Sequence, residues 1–361
     1  MTSRPLRALF LPPMAWKPEF DEFAESHAPN PNVVYSTLRE AGIESEIIDP
    51  NKLPWNPFHG KNSLLDGLDV VRALGVLTTR RKIDVVVCIF EAPATVLLLL
   101  RKLAGYRVPI LLWDIGITED WKLRERVLDI VVPRADGIMV LGTNQKRYIE
   151  KRWPSVKRVE VILHHIDTDF FRPAPDAPEG YVLSIGKDHG RDFAPLIEAM
   201  NGISVPLWIK TERRIVERLG NPSGVTWLFD HRPYDALRKL YADARFVVIP
   251  LRETLNASGV SSLLEAYAMG KAMVISNTEA MTDYIVPEET CIAVPPGDAP
   301  AIRNAITRLL SDAGLRERLG AGARRFVEQR FANRPFALGL AQSIRNLTGA
   351  ASGAANISGI S

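Results

Sequence analysis

One stretch limits the choice of fold more than any other. The apolar, β-branched run Phe246-Val247-Val248-Ile249-Pro250 leads through a small-residue loop, Leu255-Asn256-Ala257-Ser258-Gly259, into an amphipathic run from Val260 that is closed by Gly270. The first piece reads as a buried parallel strand ending at a proline. The last reads as a helix with a glycine C-cap. Strand, small-residue loop and helix in this order form an anion cradle in α/β proteins, because unpaired amides converge and the helix dipole adds positive charge there. Ser258, Gly259, Val260, Ser261 and Ser262 are the expected cradle, with Gly259 letting the backbone come close. Glu265 would repel an anion. One turn into the helix it could instead accept from the two hydroxyls of a ribose, but Ser262-x-x-Glu265 is equally a capping box that needs no ligand.

Composition narrows the classes. A chain of 361 residues, 46% apolar and 24% charged, has the make-up of a soluble globular protein with room for two domains. A net charge of +3 is too small to indicate a nucleic-acid partner. No apolar run reaches the ~18 residues of a spanning helix. The N-terminal MTSRPLRALFLPPM reads as a first strand, not a signal peptide, so a cytoplasmic protein is expected. Cys88 and Cys291 stand alone in apolar strands, as buried free thiols do. No metal-ligand spacing is visible, and no G-x-G-x-x-G follows the first strand, which disfavours a dehydrogenase.

Taken in order, Leu6–Leu11 is the first strand, followed by a helix from Asn32 and a strand over Glu44–Ile48. The loop from Pro50 to Gly60 carries Trp55, Phe58 and His59, which either stack on an acceptor or plug the loop onto the core. A helix over 63–80 leads to the strand Asp84–Phe90, with Glu91 past its carboxyl end. Leu97–Leu103 is apolar on all sides and reads as buried. Asp114 follows the strand Pro109–Trp113, where ligands of open sheets gather; it is a site candidate or a turn cap near Thr118. Lys122, Arg124 and Arg126, then Lys146, Arg147, Lys151 and Arg152, with Trp121 and Trp153 nearby, form either a solvated face or a basic face for acidic lipid headgroups. The second reading places the protein peripherally at the inner face of the membrane. Pro175, Pro178 and Gly180 make the one strong break in composition.

Ser262 to Gly270, with Lys271–Ser276 and Thr282-Asp283-Tyr284-Ile285 after it, resembles the signature of retaining GT-B glycosyltransferases of the family-4 type, roughly E-x7-E, "LLEAMA-G-PVV" and "G--D-V". The second signature glutamate falls on Glu265, which the resemblance makes the ribose ligand. The first falls on Ala257 and is missing; Glu253 or Asn256 would have to replace it. His164-His165-Ile166-Asp167-Thr168-Asp169-Phe170-Phe171-Arg172-Pro173 resembles the family's interdomain crossing "NGVDxxxF-P". Gly186–Phe193 resembles its "GR----KG", with Lys187 and Arg191 as the two cations on the donor diphosphate.

The resemblance implies an α/β, GT-B fold: two Rossmann-like domains facing a central cleft. Residues 1–172 would hold the acceptor and 173–332 the nucleotide-sugar donor; 333–347 would be a helix crossing back, and 348–361 a flexible tail. The implied reaction is retaining transfer from a UDP- or GDP-linked sugar to a glycan, lipid or small-molecule acceptor, with no cofactor besides the donor. Lys187, Arg191 and Asp114 are the expected catalytic group. Glu265, residues 258–262, Lys210, His231 and Arg232 would bind the donor. Asp167-Thr168-Asp169 is a D-x-D triplet, but its place in the crossing segment argues for turn caps and metal-independent chemistry. An epimerase or hydrolase on the same fold, or a non-catalytic nucleotide-binding scaffold, are the alternatives. Neither oligomeric state nor acceptor is legible.

Overall fold

The computed structural model describes residues 4–13, 29–30, 32–49, 69–116, 122–174, 178–229 and 233–350. The chain divides into two compact units, one running to Ile162 and resuming at Arg334, the other spanning Leu163–Asn333 and including Asn30.

In the first unit the elements are β1 (Leu6–Leu11), α1 (Asn32–Glu40), β2 (Ile43–Ile47), α2 (Val70–Thr78), β3 (Val85–Ile89), α3 (Ala92–Leu100), β4 (Ile110–Trp113), α4 (Lys122–Val131), β5 (Gly137–Val140), α5 (Thr143–Arg152) and β6 (Val159–Val161). The strands pair in parallel in the order β2-β1-β3-β4-β5-β6. Every residue of β3 is buried, as its unbroken Val85-Val86-Val87-Cys88-Ile89 run requires of a strand covered on both faces. Cys88 and, in the other unit, Cys291 are free and buried.

The second unit comprises β7 (Tyr181–Ile185), α6 (Phe193–Ala199), β8 (Leu207–Lys210), α7 (Arg213–Arg218), β9 (Val225–Leu228), α8 (Tyr234–Ala242), β10 (Ala244–Ile249), α9 (Val260–Ala268), β11 (Met273–Ser276), β12 (Ile292–Val294), α10 (Ala299–Ser311) and α11 (Ala313–Arg330). Its sheet is also parallel, in the order β12-β11-β10-β7-β8-β9. That is the doubly wound order, and it reverses between β7 and β10. The final helix, α12 (Asn333–Thr348), lays Phe336, Ala337, Leu340, Ala341 and Ile344 into the core of the first unit.

Three expectations need adjustment. The division falls at Ile162–Leu163, ahead of the proline-rich stretch, because the crossing segment belongs to the second unit: Phe171 is buried in its core and the Ile166 amide donates to the Phe331 carbonyl at 2.8 Å. The helix expected over 63–80 is described only as α2 from Val70. The helix expected to be buried through Leu103 ends at Leu100, with Leu99 43% and Leu103 87% exposed. Trp55, Phe58, His59, Thr118, Trp121 and Pro175 lie outside the described residues.

Candidate functional site

The reversal point of the second sheet puts two loops side by side, the one after β7 and the one after β10. They are hydrogen-bonded to each other: the Asp192 amide donates to the Pro250 carbonyl at 3.1 Å, and the Arg252 amide to the Gly190 carbonyl at 3.0 Å. This places Arg191 at the N-terminus of α9. Its side chain is only 3% exposed. Nε donates to Asp188 Oδ2 at 3.0 Å and Nη2 to Ser262 Oγ at 3.0 Å, while Nη1 is buried without a partner. Two glycines make room for it. A side chain at Gly186 would run into the guanidinium, and a Cβ on Gly259 would lie 3.1 Å from Nη1. Gly259 is also the N-cap of α9 at φ 91°, a left-handed position that favours glycine.

A buried guanidinium with an unused N–H is costly, and such groups are rare unless something else takes the hydrogen bond. Beside it the first amides of α9 lack intrahelical acceptors, and that of Val260 turns back to the Ala257 carbonyl of the preceding loop at 3.2 Å. Cation and helix end together concentrate positive charge at the place where open α/β sheets bind ligands.

Glu265, half-buried in the second turn of α9, is not part of a capping box. The helix begins at Val260, so Ser262 lies inside it and spends its hydroxyl on Arg191 and the Ile185 carbonyl. Glu265 Oε2 accepts from the Tyr241 hydroxyl at 2.6 Å. Burial pushes the Glu265 carboxyl up to about 7, against the Tyr241 hydrogen bond and the charges of Arg191 and Lys210, which pull it down. Lys210, half-buried at the end of β8, thus belongs to the same electrostatic group. Tyr241, wholly buried, completes the group and carries no motif; its one signal is an aromatic in the last turn of an amphipathic helix just ahead of a strand.

The remaining expected residues are spread more widely. Lys187 is exposed beyond β7 and makes no ion pair among the described residues. Ser258 is half-buried against Gly190, Val260 is buried and Ser261 is exposed. His231 and Arg232 lie outside the described residues. Ala257, at the position of the absent glutamate, packs against the core, and Glu253 accepts from the Glu279 amide at 3.2 Å, so that carboxylate is engaged elsewhere.

The crossing segment borders the start of α9. His164 Nε2 lies 3.4 Å from Ser261 Oγ, and His165 Nδ1 lies 2.7 Å from Asn333 Oδ1. Burial holds both imidazoles neutral, pushing His164 down to about 3, with His165 adding to the effect, and His165 down to about 4. A depressed histidine contributes stability that is complete above its ordinary 6.5 and is lost as pH falls toward the folded value. Between pH 6.5 and 4 the protein is therefore expected to lose at most about 1.4 kcal/mol per pH unit for each imidazole that must take up a proton. Melting temperatures at pH 7 and 5 check this: replacing both by Asn should flatten the difference, and an unchanged drop would assign it to other groups. Asp167 turns Oδ1 to the Asp169 and Phe170 amides, both at 3.0 Å, and Oδ2 to the Asn30 amide at 2.7 Å. Among the described residues no cluster of three metal-ligating side chains occurs.

In the first unit, Asp114 stands at the end of β4 with φ 60°, beside Phe90 at the end of β3 with φ 62°. A left-handed phenylalanine is strained, and such strain gathers at functional sites. Asp114 Oδ1 accepts from the Ile115 amide at 2.8 Å and from Gln145 Nε2 at 3.2 Å. Burial pushes its carboxyl up to about 6; those two hydrogen bonds oppose the rise and the charge of Glu91 adds to it. Glu91 itself is buried and paired with Arg124, and it accepts from the Gly116 amide at 3.1 Å. Arg152 pairs with Asp129 at 3.0 Å. Lys146 lies 3.7 Å from Glu150, so at least three charges of the expected basic face have protein partners. No helix among the described residues is long and apolar enough to cross a membrane.

Known proteins share this fold. Residues 208–326, which hold Lys210, Tyr241 and all of α9, match the family model described as glycosyl transferases group 1. The whole chain is similar in structure to sucrose-phosphate synthase from Thermosynechococcus elongatus, with a TM-score of 0.74 at 19% identity over 96% of this chain and 100% of that one. It is similar also to Anabaena HepE, solved in complex with UDP, with a TM-score of 0.65 at 15% identity over 94% and 100%. An uncharacterized glycosyltransferase of Methanocaldococcus jannaschii is 34% identical over 97 residues, 27% of this chain. That match spans 24% of the relative's length, about a quarter. The two Rossmann-like parallel sheets are therefore a fold of the GT-B type, and the match to the group 1 glycosyl transferase model lies within the second unit.

Proposed function

We propose that this chain is a group 1 glycosyltransferase of the retaining, family-4 type, taking its sugar from a UDP- or GDP-linked donor. The observation that carries the reading is the buried Arg191 guanidinium, with Nη1 unused, at the N-terminus of α9. The diphosphate lies against Nη1 and the α9 amides, and the exposed Lys187 reaches it from the same strand end. Glu265 accepts from the ribose hydroxyls. Asp114 in the first unit holds an acceptor hydroxyl.

In the reaction the bond from the sugar C1 to the diphosphate oxygen breaks. The acceptor oxygen bonds to C1 on the same face, and its proton passes to the departing phosphate. Negative charge grows on that phosphate, so a preorganised cation and helix end act most strongly in the transition state. With a guanidinium already there, no divalent ion is needed, and Asp167, which spends both oxygens on amides, is a turn cap.

Calorimetry against a panel of UDP- and GDP-sugars tests the donor class. Binding of none of them would end the proposal; turnover of a donor alone would favour an epimerase or hydrolase. Exhaustive chelation is expected to leave donor affinity and turnover unchanged. Loss restored by manganese or magnesium would overturn the metal-independent mechanism. The anomeric configuration of the product, read by NMR, tests retention.

A further inference from the structure

We propose that Tyr241 is a positioning residue for nucleotide recognition: its buried hydroxyl holds Glu265 by Oε2 and leaves Oε1 to face the ribose diol. The inference rests on the ribose role proposed above for Glu265. Tyr241 is fully buried in the last turn of α8, and its hydroxyl lies 2.6 Å from Glu265 Oε2 and 3.5 Å from the Ser262 carbonyl. A phenol has one proton to donate. The shorter contact gives it to the carboxylate, in a charge-assisted bond of the stronger kind. Among the described residues Oε1 accepts no hydrogen bond.

The mount is rigid. Tyr181 donates its hydroxyl to the Leu240 carbonyl at 2.9 Å, and its ring stacks on Trp208 with centroids 4.0 Å apart. On the other side Lys271 Nζ donates to the Ala242 carbonyl at 2.7 Å and to the Ala244 carbonyl at 2.8 Å. Carbonyls on both sides of Tyr241 are therefore tied down by side chains from β7 and from the turn after α9. Such bracing is what a preorganised ligand contact needs.

The charged or titratable groups that face Glu265 are Tyr241 from α8, Arg191 from the loop after β7 and Lys210 from β8. The Tyr241 hydrogen bond favours the ionised carboxylate; burial opposes it. Without the hydroxyl, Glu265 takes up its proton at higher pH and loses an acceptor that the ribose needs.

The test is calorimetry with UDP-glucose and a GDP-sugar between pH 6 and 8.5, since their diphosphate diesters do not titrate there. In the unaltered protein affinity should rise with pH through about 7. Tyr241→Phe should weaken binding ~10-fold at pH 7, move the midpoint upward and recover at the alkaline end. Glu265→Gln should bind weakly and without pH dependence, and the double variant should bind no worse than Glu265→Gln, because the two act as one unit. A Tyr241→Phe loss that is equal at every pH, or an additive double variant, would overturn the positioning role and leave Glu265 in the site. Unchanged affinity in Glu265→Gln would instead remove the ribose role, and this inference with it. Should Tyr241→Phe not fold, Tyr241→Met, which also lacks the donor, serves the same comparison.

Discussion

Arg191→Ala is expected to lower glycosyl transfer by ~10²–10³, about 2–4 kcal/mol of transition-state stabilisation. Donor affinity should fall less than turnover, because the charge that Arg191 meets is larger in the transition state than in the bound donor. The side chain is held from two directions, by Asp188 and by Ser262, so its remaining N–H groups cost no further ordering when the phosphate arrives. Lys187→Ala should have the smaller effect, because that exposed chain must be ordered at each turnover. Arg191→Lys tests geometry against charge: an ammonium keeps the charge and loses the planar fork that bonds both partners. Removing the guanidinium also leaves Asp188 and Ser262 without it, so melting curves must accompany the kinetics. A folded Arg191→Ala with wild-type kcat would take the residue out of the site.

Glu265→Gln is expected to raise the Kd for UDP or GDP by ~10- to 100-fold, because hydrogen bonds to a charged acceptor contribute about 1.5–3 kcal/mol. The fold should survive. α9 is capped at Gly259 and not at Ser262, so no helix cap depends on this carboxylate, and the glutamine carbonyl can still accept from Tyr241. Titration of both nucleotides, beside a thermal melt, separates the outcomes. Equal affinity would leave Glu265 as a buried partner of Tyr241 and nothing more. Equal loss of affinity and of melting temperature would make the effect structural.

Much of this protein follows from local pattern. The unbroken apolar strands, the switch to helical period after Gly259, and Gly270 at the end of α9 are effects of residues within a few positions of each other, and they specify an α/β chain. Whether Ser262 and Glu265 form a capping box was not a local matter. It turned on where α9 starts, and Gly259 in its left-handed conformation starts the helix early enough to bring Ser262 inside. Ser262 then became the partner of Arg191, 71 positions away in sequence, and Tyr241 the partner of Glu265, 24 positions away. The first pair exists because β7 lies beside β10 in the sheet, the second because the helices before and after β10 both pack on that strand. Strand order is set by which apolar faces bury each other across the whole unit, a sum that no short window contains. The sequence by itself determined the elements and the chemistry each carried. Only the tertiary structure decided which of them lie together, leaving the two N–H groups of Arg191 Nη1 buried and unused and Lys187 outside in solvent.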